Sequence, residues 1–154
     1  MAAYLYEGGL KLRHKVRAVV VNGSGQFLLV RPHGYPEGEW TLAGGGVEDG
    51  ETVQQAMRRE IAEELGVALE EDLKQLPVGN RFIYSADHKV KRGLDHDGQE
   101  ASMFIVRLAD DVPLVLQSEE IAEARWFSRD EALAGFPVKK QRDVFKACLA
   151  ALAA

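Results

Sequence analysis

Three glutamates, Glu60, Glu63 and Glu64, sit close together in a stretch whose apolar pattern is helical. At about 100° per residue, Val53, Ala56, Met57 and Ile61 share one apolar face of a helix over Thr52–Leu65. Glu60 and Glu64 fall inside that face, where a core helix would carry leucine, and Glu63 lies on its edge. Positions three and four apart are neighbours on a helix, so the three carboxylates crowd together. Such crowding costs free energy through like-charge repulsion and desolvation. Two readings fit the spacing: the glutamates are solvated, as acidic helix faces commonly are, or a divalent cation neutralises them. An oxygen-only donor set suits Mg²⁺, with Mn²⁺ as a substitute, rather than a thiolate-bound metal.

The elements that must position these acids carry clear signals. Thr52 can cap the helix, and Gln55 completes a capping box. Gly66 suits the left-handed residue that closes a helix. Upstream, Trp40–Ala43 reads as a short strand entering Gly44-Gly45-Gly46, a run that lets the backbone bend tightly and approach a ligand.

Together, Gly45–Val67 (GGVEDGETVQQAMRREIAEELGV) resembles the Nudix box at every specified position: Gly45, Glu51, Arg59, Glu60, Ile61, Glu63, Glu64, Gly66 and Val67. The resemblance implies a Mg²⁺-dependent hydrolase of a nucleoside diphosphate linked to another moiety. It assigns metal binding to Glu60, Glu63 and Glu64, with the Gly45 carbonyl as a candidate further ligand. It pairs Arg59 with Glu51 to fix the loop–helix geometry, and leaves Gly46 and Gly66 as structural supports. It offers two sources for the catalytic base. One is a box glutamate, Glu63 or Glu60. The other is a later-loop glutamate: Glu120 precedes Arg125-Trp126-Phe127-Ser128 as a functional glutamate precedes a similar strand in the bacterial RNA 5′-pyrophosphohydrolase branch. Glu100 is a weaker candidate.

A chain of 154 residues with ordinary charged and apolar fractions fits one globular domain over residues 1–154. The formal charge of −5 argues against a general nucleic-acid coat, though not against a local basic pocket. Cys148 is the one cysteine, so no internal disulfide is expected; its apolar surroundings suggest a small core residue. Met1–His14 has no long apolar segment, and no run reaches membrane-span length, so a cytoplasmic protein is expected.

Tyr4–Tyr6 reads as a short edge strand. Lys15–Val21 and Gln26–Val30, joined by Asn22-Gly23-Ser24-Gly25, read as a hairpin at the sheet centre. Arg31–Glu39 is a Pro/Gly-rich loop in which Arg31 could face a phosphate and His33 is more simply solvated. Further strands are expected within Leu76–Ser85, at Ala101–Leu108 and at Ala124–Ser128. Asp87–Gln99 reads as a long polar loop or hairpin tip whose Lys89, Lys91 and Arg92 form a basic cluster suited to a polyphosphate or to plain solubility. Ser128 with Glu131 caps a short helix. Lys139–Ala150 is a closing amphipathic helix with Val144, Phe145, Cys148 and Leu149 facing inward. The interleaving gives an α/β class, and with the resemblance an α/β/α sandwich with a mixed sheet between helices.

The groups on either side of the scissile bond are less legible. Tyr84, Gly98-Gln99 and Lys140–Phe145 resemble features of dinucleoside polyphosphate and RNA 5′-end hydrolases. Ala43-Gly44 departs from the Pro-Gln of the RNA branch. A nucleoside triphosphate pyrophosphatase is the nearest alternative, a nucleotide-sugar hydrolase another, and a non-catalytic nucleotide-binding Nudix domain an alternative of a different class. Many relatives pair as homodimers, and no interface signature marks this sequence.

Overall fold

The computed structural model describes residues 1–153. In chain order the elements are β1 (Tyr4–Glu7), β2 (Leu10–Asn22), β3 (Phe27–Pro32), β4 (Ala43–Gly46), α1 (Val53–Leu65), β5 (Lys74–Leu76), β6 (Arg81–Ile83), α2 (Ala86–Arg92), β7 (Gly98–Leu108), β8 (Ile121–Phe127), α3 (Arg129–Gly135) and α4 (Lys139–Ala153). The sheet runs β5-β7-β2-β3-β8, with β1 and β4 on β2 and β6 on β7. Among the described residues only β2 and β7 pair in parallel, along Leu12–Asn22 against Gly98–Leu108. It is therefore a mixed sheet with β2 at its centre.

Alternation along β2 builds two cores. Val16, Ala18 and Val20 pack with Ala56, Met57, Ile61 and Leu65 of α1. Val19 and Val21 pack on the opposite side with Ala132 of α3 and Val144, Phe145 and Cys148 of α4. The result is the helix–sheet–helix sandwich read from the sequence. Cys148 is a core residue, and burial pushes its thiol up to about 11.

Three local expectations are corrected. The glycine run is not a bend: Gly44–Gly46 form β4 itself, antiparallel to β2 through Lys15↔Gly46, Val16↔Gly45 and Arg17↔Gly44. Trp40–Ala43 contributes only a bridge between Thr41 and Val30 plus the first residue of β4. The strand expected within Leu76–Ser85 does form, as β6, with β5 ahead of it on the same edge of β7. Asp87–Gln99 is a loop only in part: its first six residues belong to α2, which Ser85 caps by accepting from the His88 amide at 3.1 Å and Gly93 closes at φ 61°. No residue of α2 is buried, so it leaves no apolar periodicity to read.

Candidate active site

The helix α1 forms as its end signals require. Thr52 Oγ accepts from the Gln55 amide at 3.1 Å, Gln55 Oε1 accepts from the Thr52 amide at 2.9 Å, and Gly66 adopts φ 69°. This fixes which residues face the sheet. Glu60 and Glu64 are the charged residues that α1 buries, at 8% and 4% exposure, against β4. Gly45 makes the approach possible, because the position of a Cβ there is taken by the Glu60 carboxylate.

Arg59 locks the glycine strand to the helix. Its Nε donates to Glu51 Oε2 at 2.7 Å, and its Nη2 donates to Glu51 Oε1 and to the Gly46 carbonyl, both at 2.9 Å. Its Nη1 donates to Glu60 Oε1 at 3.0 Å and Glu63 Oε2 at 3.3 Å. Glu51 also accepts from the Glu48 amide at 2.9 Å, tying down the loop that enters the helix. The pairing with Arg59, with that backbone bond, holds the Glu51 carboxyl below its ordinary range.

The buried acids behave oppositely. Desolvation pushes Glu64 up to about 8, the field of Arg17 opposes it, and Glu60 and Glu120 add to it. Desolvation also raises Glu60 against the pull of Arg59, with Glu63 and Glu120 adding to the rise. Glu120, exposed at the end of the loop before β8, thus acts on both buried carboxyls. Its loop is held by His33, whose amide donates to the Glu120 carbonyl at 2.9 Å and whose Nε2 bonds the Ser118 carbonyl at 2.7 Å.

Among the described residues the acids do not converge into a tight ligand cage. The Arg59 guanidinium holds Glu60 and Glu63, and Glu64 Oε1 accepts from the Gly44 amide at a long 3.4 Å. The donor set nonetheless fits a hard divalent cation: two desolvated carboxyls with raised pKa, an exposed third acid, and backbone at Gly45 that a side chain would block. Glu60, Glu63, Glu64 and the Gly45 carbonyl would hold it.

Two site residues escape a reading of the sequence as an apolar strand: Lys15 and Arg17. Both lie on β2; the field of Arg17 acts on Glu64, and Lys15 feels both Glu60 and Glu64. The available signal was two cations alternating inside Lys15-Val-Arg-Ala-Val-Val-Val, which places them on one face. Arg17 donates to the Leu42 carbonyl at 3.2 Å and lines a pocket of about 220 Å³ on the α4 side of the sheet, walled by none of the acids. Thr41, Leu42, Phe82, Gln99, Lys140 and Gln141 are among its other walls.

Other expected contacts lie elsewhere. Arg31 pairs with Glu123 at 3.3 Å, and Glu100 accepts from Arg81 at 2.9 Å. Tyr84 packs among Phe82, His88 and His96 rather than lining that pocket. Lys89 donates to Asp97 at 2.6 Å and Lys91 pairs with Asp87 at 3.1 Å. With Arg92 they occupy the last turn of α2, where cations favour the helix dipole.

The family model described as the NUDIX domain matches residues 11–148. The chain belongs to the Nudix family. It is 31% identical over 118 residues to the nucleoside triphosphatase NudI of Enterobacter sp. (strain 638), covering 72% of this chain and 79% of that protein. A NudI from Escherichia coli O139:H28 matches more locally, 45% identical over 53 residues, 32% of this chain and 38% of the relative. The crystal structure of a MutT Nudix hydrolase from Burkholderia pseudomallei superimposes with a TM-score of 0.65 at 27% identity, over 89% of this chain and 95% of that one. This Nudix protein is accordingly a hydrolase of phosphoric anhydride bonds, a pyrophosphohydrolase.

Proposed function

We propose that this Nudix hydrolase is a Mg²⁺-dependent nucleoside triphosphate pyrophosphatase acting in the cytoplasm, with residues 1–154 as one catalytic domain. The observation that carries this is the position of Arg17, which lines the pocket and also acts on Glu64. A base held by the pocket would leave its phosphates to extend past Arg17 toward the acids. The pocket walls suit a base: Phe82 and Tyr35 offer aromatic faces, and Asn80, Gln99 and Gln141 offer amides. Its volume suits one heterocycle, and the 31% identical relative is itself named a nucleoside triphosphatase.

When bound, the divalent cation would neutralise the diphosphate oxygens and polarise the attacking water. The chain's own residues do the rest. Glu60, Glu63 and Glu64 hold the charge, Arg59 and Glu51 keep α1 in register with β4, and Arg17 orients the phosphate nearest the pocket. Glu120 would take the proton of the attacking water, with Glu63 or Glu60 as the other candidate. The test is product identification, for nucleotide, pyrophosphate and phosphate, on a panel of nucleoside triphosphates, dinucleoside polyphosphates, nucleotide sugars and 5′-triphosphorylated RNA, with Mg²⁺ and with chelator. Monophosphate and pyrophosphate from triphosphates, only with Mg²⁺, is the expected result. Faster turnover of a dinucleoside polyphosphate or RNA end would move the assignment to those substrates, and tight binding without turnover would defeat the enzymatic reading. Mn²⁺ should substitute in the same assay.

A further inference from the structure

Arg13, Lys15 and Arg17 alternate along β2 and share one face. Their surroundings separate their roles. Arg13 is consumed by the backbone: its Nη1 donates to the carbonyls of Ala3 at 3.0 Å, His14 at 2.9 Å and Val47 at 2.7 Å. Its guanidinium also fills the space over Gly46 that a Cβ would need. Arg17 is anchored to the Leu42 carbonyl at the pocket wall. Lys15, between them, is partly buried, and among the described residues its ammonium has no hydrogen-bond or ion-pair partner.

An ammonium in that position is costly unless something anionic completes it. Glu60 and Glu64 are close enough for their fields to favour its charged form, yet neither forms an ion pair with it. Burial and the flanking Arg17 and Arg13 outweigh those fields and draw Lys15 down to about 8. Two cations with donors to spare therefore follow one another along the face of β2 that carries the pocket: Arg17 on its wall, Lys15 two residues further along, within the field of Glu60 and Glu64. Two residues along a strand are about 7 Å apart, a span that neighbouring phosphoryl groups can bridge with flexible side chains.

We infer that Lys15 grips the substrate's diphosphate, its ammonium donating to a non-bridging oxygen of the phosphoryl group beyond the one held by Arg17. This rests on the pyrophosphatase reading above and deepens it. Lys15 would hold the oxygens that α1 and its cation do not reach, and would supply charge where the leaving pyrophosphate develops it.

The experiment compares wild type with Lys15→Met and Lys15→Arg in two assays. Calorimetric titration with inorganic pyrophosphate, without metal and with Mg²⁺, reads the grip directly; steady-state kinetics on the best triphosphate reads its use. Lys15→Met should weaken pyrophosphate by about tenfold or more in both titrations and lower kcat/KM by about 10- to 100-fold, the loss expected for one charge-assisted hydrogen bond. Lys15→Arg should recover most of each loss. Affinity for Mg²⁺ alone should hold or rise in Lys15→Met, because a positive charge within the field of the acids is gone. Unchanged pyrophosphate affinity in a folded Lys15→Met protein overturns the inference. So does parallel loss of Mg²⁺ and pyrophosphate binding, the mark of a merely structural residue. If Lys15→Met does not fold, Lys15→Gln is titrated in its place with the same two outcomes. Wild-type protein that turns over no substrate with Mg²⁺ would instead defeat the pyrophosphatase reading, while the pyrophosphate titrations would still decide the role of Lys15.

Discussion

Glu60 packs directly over the α-carbon of Gly45, so that a Cβ on that glycine would overlap the Glu60 carboxylate. The helix can bring its acid to the strand only because the strand has no side chain there. Gly45→Ala must push Glu60 aside by about an ångström or more, and a displacement of that order costs about 10²-fold in rate. The expected result is that loss in kcat/KM with a native circular-dichroism spectrum, and near wild-type kinetics in Gly45→Ala would show that Glu60 is not needed where it lies.

The Arg59–Glu51 pair should act on stability as well as activity. Glu51→Gln leaves two Arg59 donors poorly matched in a partly buried site. Losing such a partner costs about 1–3 kcal/mol. At roughly 2–4 °C per kcal/mol for a chain of this size, thermal melting should drop by several degrees. Glu63→Gln, at an acid half exposed to water, should leave the melting temperature within about a degree. Equal shifts in the two variants would remove the special role of Glu51.

Closure of α1 by Gly66 gives a second stability test. Its φ is 69°, and a Cβ there would lie 2.8 Å from both Cβ and the carbonyl oxygen of Val115. Gly66→Ala should destabilise by more than the roughly 1–2 kcal/mol of left-handed strain alone. Gly50 is the control, with φ 84° and no atom within 4 Å of where a Cβ would sit. Gly50→Ala should therefore cost the strain without the clash, and a denaturant melt showing equal losses would exclude the Val115 contact as a cause.

Glu64 makes stability depend on pH. Its folded-state value of about 8 lies above the ordinary 4.5, so the folded protein binds the extra proton in that window. Stability of the metal-free protein should fall as pH rises from about 4.5 to about 8, the unfolded chain having already released that proton. Arg17 and the Gly44 amide, which favour the charged form, soften the fall; Glu60 and Glu120 steepen it. Saturating Mg²⁺ should reverse it, since the cation takes the place of the proton. Melting temperatures on either side of the folded-state value, at about pH 6 and about pH 8.5, with and without Mg²⁺, check this. Glu64→Gln should flatten the metal-free profile.

The proposed role of Glu120 is to take a proton from the attacking water. Glu120→Gln should lower kcat by about 10²–10⁴-fold and remove the basic-group limb of the pH–rate profile, with Mg²⁺ affinity little changed. A variant retaining the wild-type profile would return the base to Glu63 or Glu60.

Much of this was written locally. The glutamate spacing, the Thr52–Gln55 box and Gly66 specify α1 and the face it buries, because helix periodicity and end-capping act within a few residues. Alternation in β2 and β7, and the turn at Asn22–Gly25, specify the sheet centre for the same reason. The helix α2 was illegible because it buries nothing, and β4 because glycines carry no pattern. Lys89 and Lys91 pair with Asp97 and Asp87, contacts that needed the α2 helix and its return to β7 to bring the groups together. Lys15 and Arg17 were visible as residue types, but their meaning was not. They gain it only when β4 docks on β2 and α1 buries Glu60 and Glu64 against it. A burial-dependent charge exists only once segments distant in sequence exclude water together, and that is a property of the assembled fold.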